Sequence, residues 1–150
     1  MKQAAVETYH LSKTFKAPLR FVFAWCTDYR EDDPKMLGSK NRRMILVRNR
    51  KIIAWWVKTK NPGSKFDPIR VVWLRPPNSW HLDTCGDGSE IGDYKLKALP
   101  GGRTKLDMTF KVTYENPRDV ESRKEWEADG QAHWDSYGKF LERDYQRSLR

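Results

Sequence analysis

The sequence predicts an α+β domain in which a curved antiparallel sheet of about seven strands is covered by one long C-terminal helix. Polar and apolar residues alternate through residues 102–114, which is the period of a strand with one face in water. Similar segments joined by short turns precede this strand. After Tyr114 the period changes to that of an amphipathic helix.

The chain length and the cysteine content favour one intracellular domain. A chain of 150 residues fits a single domain over residues 1–150, and folding should bury roughly two-thirds of its surface. Cys26 and Cys85 lie far apart without metal-site spacing, and no charged-then-apolar leader opens the sequence. The apolar runs are far shorter than the ~20 residues of a membrane helix. We therefore expect a cytoplasmic protein without a membrane span.

The first elements are a strand and a short helix. Residues 7–15 carry Tyr9, Leu11 and Phe15 on one parity, which predicts a strand. A helix follows in "APLRFVFAWCTD", where Pro18 suits the first turn. The acidic "REDDP" segment predicts a solvated turn or a second short helix, with nothing in the core.

From Arg42 onward the pattern predicts six strands in a meander. Two strands flank the turn "RNRK", and the loop "NPGSKFDP" follows them. The segments "IRVVWLRPP", "SWHLDTC" and "EIGDYKLKAL" come next, separated by "PPNS" and "GDGS", and the turn "PGGR" leads into the last strand. Short links of this kind imply antiparallel neighbours.

The C-terminal segment predicts a helix of ~30 residues, about 45 Å long. Asn116 is the expected N-cap, Pro117 the first helical residue and Asp119 the acidic residue three places later. One stripe of the helix contains Trp126, Gly130, Trp134, Tyr137, Leu141 and Tyr145. We expect this stripe to cover the apolar face of residues 102–114.

Several segments resemble the START/SRPBCC superfamily, whose fold is the helix-grip. The segment "LSKTFKAPLRFVFAWCTD" is similar to the start of that family, with Ala17, Pro18, Val22 and Asp28 at the characteristic places. "LPGGRTKLDMTF" resembles its last hairpin and "WEADGQAHWDSYGKFLE" its terminal helix. The resemblance implies a cavity between sheet and helix that holds lipids, sterols, polyketides or other hydrophobic molecules. It supplies no shared catalytic set, so the catalytic residues stay unknown.

The expected cavity residues come from the strands and from the long helix. They are Trp73, Trp80, Leu82, Tyr94, Leu96, Leu106, Met108, Phe110, Trp126, Gly130 and Trp134. The alternative for each is that it simply fills the core, as seven tryptophans in the chain could do. Gly130 favours a cavity, because a helical glycine costs about 1 kcal/mol relative to alanine and removes bulk from the inward stripe.

The sequence offers no convincing catalytic or metal site. His81, Asp83 and Cys85 share one strand face. Alternate residues are about 6.6 Å apart along a strand, too far for the hydrogen bonds of about 3 Å that activate a nucleophile unless the side chains lean together. A polar outer face is the preferred interpretation. His10 and His133 lack paired spacing, so we expect no metal, and the sequence indicates no cofactor.

The chain is strongly basic, with 29 Lys and Arg against 20 Asp and Glu and a net charge of +9. The basic residues concentrate around one hairpin, at Lys40, Arg42, Arg43, Arg48, Arg50 and Lys51, and at the C-terminal Arg143, Arg147 and Arg150. A solvated face is the preferred interpretation. The alternative is nucleic-acid binding with an exposed Trp55 or Trp56 for stacking.

Three functions therefore follow in order of preference. The first is binding of a hydrophobic or aromatic small molecule between the sheet and the C-terminal helix, without catalysis. A polyketide cyclase or dehydratase activity in the same cavity is second, and a basic module that binds nucleic acid or protein is third. The oligomeric state is left open.

Overall fold

The computed structural model describes residues 4–36, 38, 41–58, 68–85 and 89–150. It contains seven strands: β1 Ala5–Phe15, β2 Arg42–Arg48, β3 Ile52–Lys58, β4 Ile69–Arg75, β5 Ser79–Cys85, β6 Ser89–Leu99 and β7 Arg103–Tyr114. Its α-helices are α1 Leu19–Cys26, α2 Asp33–Met36 and α3 Arg123–Ser148. The predicted strands, the two short helices after β1 and the long last helix are confirmed. Most of the predicted loop "NPGSKFDP" and of the turn "GDGS", and also Lys40, lie outside the described residues.

The strands form one antiparallel sheet in the order β1-β7-β6-β5-β4-β3-β2. Strands β2 to β7 are a meander, and β1 closes the order by pairing with β7, for example Tyr9 with Phe110 and Leu11 with Met108. This arrangement is the predicted helix-grip order. Strand β7 alternates as expected, with Leu106, Met108 and Phe110 buried on the concave face.

The long helix begins later than predicted. Asn116 does act as a cap, but its side chain accepts the N–H of Arg118 at the start of a short 3₁₀ helix, Pro117–Asp119. The α-helix has its own N-cap at Ser122, whose hydroxyl accepts the N–H of Glu125 at 3.2 Å. Helix α3 therefore has 26 residues and is about 39 Å long. The residues at this second helix start read Ser-x-x-Glu in the sequence, which is the pattern of a capping box.

Two helices, not one, cover the concave face. Helix α3 lies along β1, while α1 packs against β6 and β7. Val22 of α1 and Leu141 of α3 are fully buried in the shared core. The long helix helps to cover β7, since Trp126 contacts Phe110, and α1, which the expectation did not include, takes part of that surface.

Two glycines of α3 allow the helix to approach β1 closely. A Cβ at Gly130 would lie 2.6 Å from Cδ1 of Leu11, and a Cβ at Gly138 would lie 2.8 Å from Cε of Lys13. Carbon atoms prefer separations of about 3.5–4.0 Å. Leu11 thus fills the space that a Cβ at Gly130 would need, while the backbone of Gly130 still lines the cavity described below.

None of the helices in the described residues has an apolar stretch long enough to cross a lipid bilayer.

Candidate ligand cavity

A cavity of about 280 Å³ remains between the concave face of the sheet and helices α1 and α3. One part of its lining is apolar or aromatic: Leu11, Trp25, Cys26, Tyr29, Leu82, Tyr94, Phe110, Trp126, Gly130, Trp134 and Tyr137. The other part is polar: Asp28, Arg30, Asp33, Arg43, Arg70, Glu90 and His133. The tryptophans of the chain therefore do not fill the interior completely.

The aromatic wall is built from rings that fix one another. Trp126 of α3 stacks on Tyr9 with ring centroids 4.3 Å apart, and it also contacts Phe110 at 5.1 Å. Trp134, two turns further along α3, lies 6.2 Å from the ring of Tyr94. Rings in such contact need little reordering when a flat guest enters, which lowers the entropic cost of binding.

The structure brings six of the predicted residues together at the cavity. Leu82, Tyr94, Phe110, Trp126, Gly130 and Trp134 line it. Four others, Trp80, Leu96, Leu106 and Met108, are buried in the core beside it. Trp80 stacks on the ring of Tyr94 at 4.9 Å, so it holds this cavity-lining ring in place from the side of the core.

Trp73 lies on the convex face, so its assignment to the cavity does not hold. It is 36 % exposed and its ring contacts His81 at 5.7 Å. Val72 is the residue of β4 that faces the core. The segment "IRVVWLR" has apolar residues on both parities, so its pattern could not indicate which parity faces inward.

The polar end of the cavity forms where the acidic turn meets the basic hairpin. Arg43 of β2 donates from Nη1 to Asp33 Oδ2 at 2.8 Å, and its guanidinium lies 4.8 Å from the ring of Trp55. Only 11 % of its side chain is exposed. Sequence analysis placed Asp33 in a solvated turn and Arg43 on a solvated face, and both interpretations are wrong, since the two segments close on each other.

Arg48 fixes the chain leading into this turn. Its two terminal nitrogens donate to the carbonyl oxygens of Asp28 and Tyr29, each at 2.7 Å. Tyr29 has a φ of 41°, a left-handed conformation that costs a non-glycine residue of order 1–3 kcal/mol. Its ring stacks on Trp55 at 4.6 Å. The Arg48 bonds and this stacking hold Tyr29 at the cavity wall.

A row of polar residues also runs across the sheet, from β4 to β6. Arg70 of β4 pairs with Thr84 of β5, and Thr84 pairs with Glu90 of β6. The row begins at buried Trp55 on β3 and continues to Val112 on β7. Arg70 and Glu90 both line the cavity. The parity of Tyr94 and Leu96, which we assigned inward from the sequence, already implied that Glu90 faces inward.

Burial changes the acidity of several groups at the cavity. It raises the pKa of the Glu90 carboxyl, with the positive charge of Arg70 opposing the shift. Burial also raises the pKa of the Cys26 thiol and the Tyr94 hydroxyl. The pKa of His133 is lowered by loss of hydration and then by Arg70. Burial therefore favours the neutral forms of Glu90, Cys26, Tyr94 and His133.

His81, Asp83 and Cys85 are on the convex face and do not reach the cavity. His81 Nε2 is 3.0 Å from Asp83 Oδ1 and its Nδ1 is 2.7 Å from Asp93 Oδ1. His81 and Asp83 bond because their side chains lean together, which is the exception to the strand spacing noted above. Both ring nitrogens are engaged by carboxylates, so His81 has no nitrogen available to activate Cys85. Within the described ranges, no group of three His, Cys, Asp or Glu side chains could hold a metal.

Comparison with known proteins shows the fold. No family model and no curated protein matches the chain. Among solved structures, Ara h 8.0201 superimposes with a TM-score of 0.70 at 16% identity, covering 95% of this chain and 99% of that one. The ZhuI aromatase/cyclase from a Streptomyces species gives a TM-score of 0.66 at 14% identity, covering 97% of each chain.

Norcoclaurine synthase from Thalictrum flavum gives a TM-score of 0.68 at 8% identity, covering 93% of this chain and 86% of that one. Identities this low show a shared architecture and leave the activity open. The chain has the helix-grip fold, as its resemblance to the START/SRPBCC superfamily implied.

Proposed function

We propose that this protein, as one domain over residues 1–150, binds a hydrophobic or aromatic small molecule in the cavity between the sheet and α3. The observation that carries the proposal is the partly open cavity of about 280 Å³, one wall of which consists of aromatic rings. Burial of apolar area would drive binding at about 25 cal/mol per Å². The volume is just below the range of about 300–1,000 Å³ for ligand pockets, which favours a compact ring system over a long acyl chain.

The test combines detection of a carried guest with tryptophan substitution. Native mass spectrometry of freshly purified protein should show an added mass, and compounds from a panel of polycyclic aromatics should raise the melting temperature. Trp134→Ala should weaken binding at least tenfold, since Trp134 lines the cavity. Trp73→Ala is the matched control, because Trp73 is on the convex face. No added mass, together with no thermal shift from any compound, would contradict the proposal.

A cyclase or dehydratase activity in the same cavity is the second candidate. Its support is the presence of Glu90, Asp28 and His133 beside the aromatic wall, and burial raises the pKa of the Glu90 and Asp28 carboxyls. A buried acid with a raised pKa can deliver a proton near neutral pH. The fold is also that of an aromatase/cyclase. Turnover of a poly-β-ketone that is lost in Glu90→Gln, with binding retained, would establish it.

The basic hairpin gives less support to nucleic-acid binding than its sequence suggests. Arg43 pairs with Asp33, and Arg48 binds two carbonyl oxygens of the chain. Trp55 is fully buried and is unable to stack on a base, whereas Trp56, on the opposite face of β3, is partly exposed. RNA or DNA binding that falls steeply with salt would revive this function. The expected cytoplasmic location stays a prediction.

A further inference from the structure

The polar row contains hydrogen-bonding groups that nothing in the described part of the chain satisfies. Arg70 Nε and Thr84 Oγ1 are buried and have no partner. No hydrogen bond or close ion pair joins Arg70 to Glu90 or to any other described residue. Arg70 and Glu90 are two strands apart, with Thr84 between them, which places their Cα atoms about 9.5 Å from each other. A buried N–H donor left this way is costly unless something else binds it.

A second unsatisfied donor faces the same cavity. Arg43 Nε is buried without a partner, although Nη1 of the same guanidinium is bonded to Asp33. Asp33 pairs with Arg43 at 2.8 Å. One oxygen of Asp28 lies 3.3 Å from Arg30, whereas its other oxygen, Oδ1, is buried without a hydrogen bond. Arg70 and Glu90 form no such ion pair with any described side chain. Glu90 shares the row with Arg70, and the positive charge of Arg70 opposes the rise that burial causes in the pKa of its carboxyl, but no ion pair joins the two side chains.

We propose that the guest is a compact aromatic molecule carrying one carboxylate, which Arg70 binds at the polar end of the cavity. The planar guanidinium donates two parallel N–H groups to a carboxylate, the pairing for which arginine is best suited. The ring system of the guest lies against Trp126 and Trp134. Arg43 Nε supplies a further donor for an oxygen substituent of the guest. This inference rests on the proposed binding function and specifies its ligand class.

The experiment compares acids with neutral amides of the same shape. Naphthalene-2-carboxylate and anthracene-2-carboxylate are titrated against the corresponding carboxamides, with binding followed by tryptophan fluorescence and calorimetry. The wild-type protein should bind each acid at least tenfold more tightly than its amide, because hydrogen bonds to charged groups are stronger than neutral ones. This comparison requires no variant and therefore does not depend on the folding of one.

Substitutions then assign the preference to Arg70. Arg70→Met should abolish the preference for the acid while amide binding remains, and Arg70→Lys should restore part of it. Arg75→Met on the same strand is the matched control, because Arg75 is exposed, and it should leave the preference unchanged.

The outcomes separate the two proposals. Equal binding of acid and amide to the wild-type protein, both weakened by Trp134→Ala, would overturn the carboxylate inference and leave cavity binding intact. An acid preference that survives in Arg70→Met would overturn the role of Arg70. If no acid and no amide binds, both proposals fail.

Discussion

Replacing Gly130 by alanine tests how closely α3 lies on β1. The new methyl group would lie 2.6 Å from Cδ1 of Leu11, about 1 Å closer than two carbon atoms prefer. Such overpacking costs about 1–3 kcal/mol, while the better helix propensity of alanine returns about 1 kcal/mol. We therefore expect the free energy of unfolding to fall by about 0–2 kcal/mol. Because Leu11 lines the cavity, its displacement should also weaken guest binding.

The sign of this effect should reverse once Leu11 is shortened. Leu11→Ala alone should cost about 2–5 kcal/mol, and in that background Gly130→Ala should stabilise by about 1 kcal/mol. Urea unfolding of the four proteins of the double-mutant cycle gives a coupling energy, expected at about 1–3 kcal/mol. Gly138→Ala serves as a comparison, because its methyl would meet only the flexible end of Lys13. An equal effect of Gly130→Ala in both backgrounds would refute the close approach.

Three further predictions concern the helix start, a convex-face histidine and a buried hydroxyl. Ser122→Ala should lower the free energy of unfolding by about 1 kcal/mol through loss of the N-cap, whereas Ser136→Ala in mid-helix should not; equal losses would remove Ser122 from the cap. Burial lowers the pKa of His81, but Asp93 and a second aspartate outweigh it, so the net shift is upward. Its stabilising contribution should therefore be complete below about pH 6.5 and be lost as pH rises through the raised pKa. An NMR titration should show this raised pKa and a lower one in Asp93→Asn, and an unchanged value there would contradict the pairing. Tyr9→Phe should cost about 1 kcal/mol in urea unfolding, because the hydroxyl is in two hydrogen bonds of 2.9 Å, and no loss would mean that these bonds contribute nothing.

The sheet and the long helix that lies over it could be predicted from the sequence, because the residue patterns that indicate them are local. Strand β7 alternates without exception between Lys105 and Val112, and short turns connect the strands of the meander. The start of α3 was misplaced because two capping signals follow each other, at Asn116 and at Ser122. The nearer one initiates only a 3₁₀ turn.

The polar end of the cavity could not be predicted because it depends on contacts between distant segments. Nothing in "REDDP" indicates that Asp33 will meet Arg43, and the partners become apparent only when the hairpin folds back. Arg70 and Glu90 carry a weak signal, since each shares parity with inward residues of its own strand. Assigning the parity of β4 from Val72 would have placed Arg70 inside and Trp73 outside.

The unsatisfied donors beneath the aromatic wall have a consequence for the empty protein. A buried donor without a partner raises the free energy of the folded state, so the protein without its guest tolerates fewer additional destabilising mutations than the protein with it. A guest present at 100 times its dissociation constant would add about 2.7 kcal/mol. Cellular degradation follows the unfolded fraction, so we expect the lifetime of this protein to lengthen when its guest is abundant and to shorten when it is scarce.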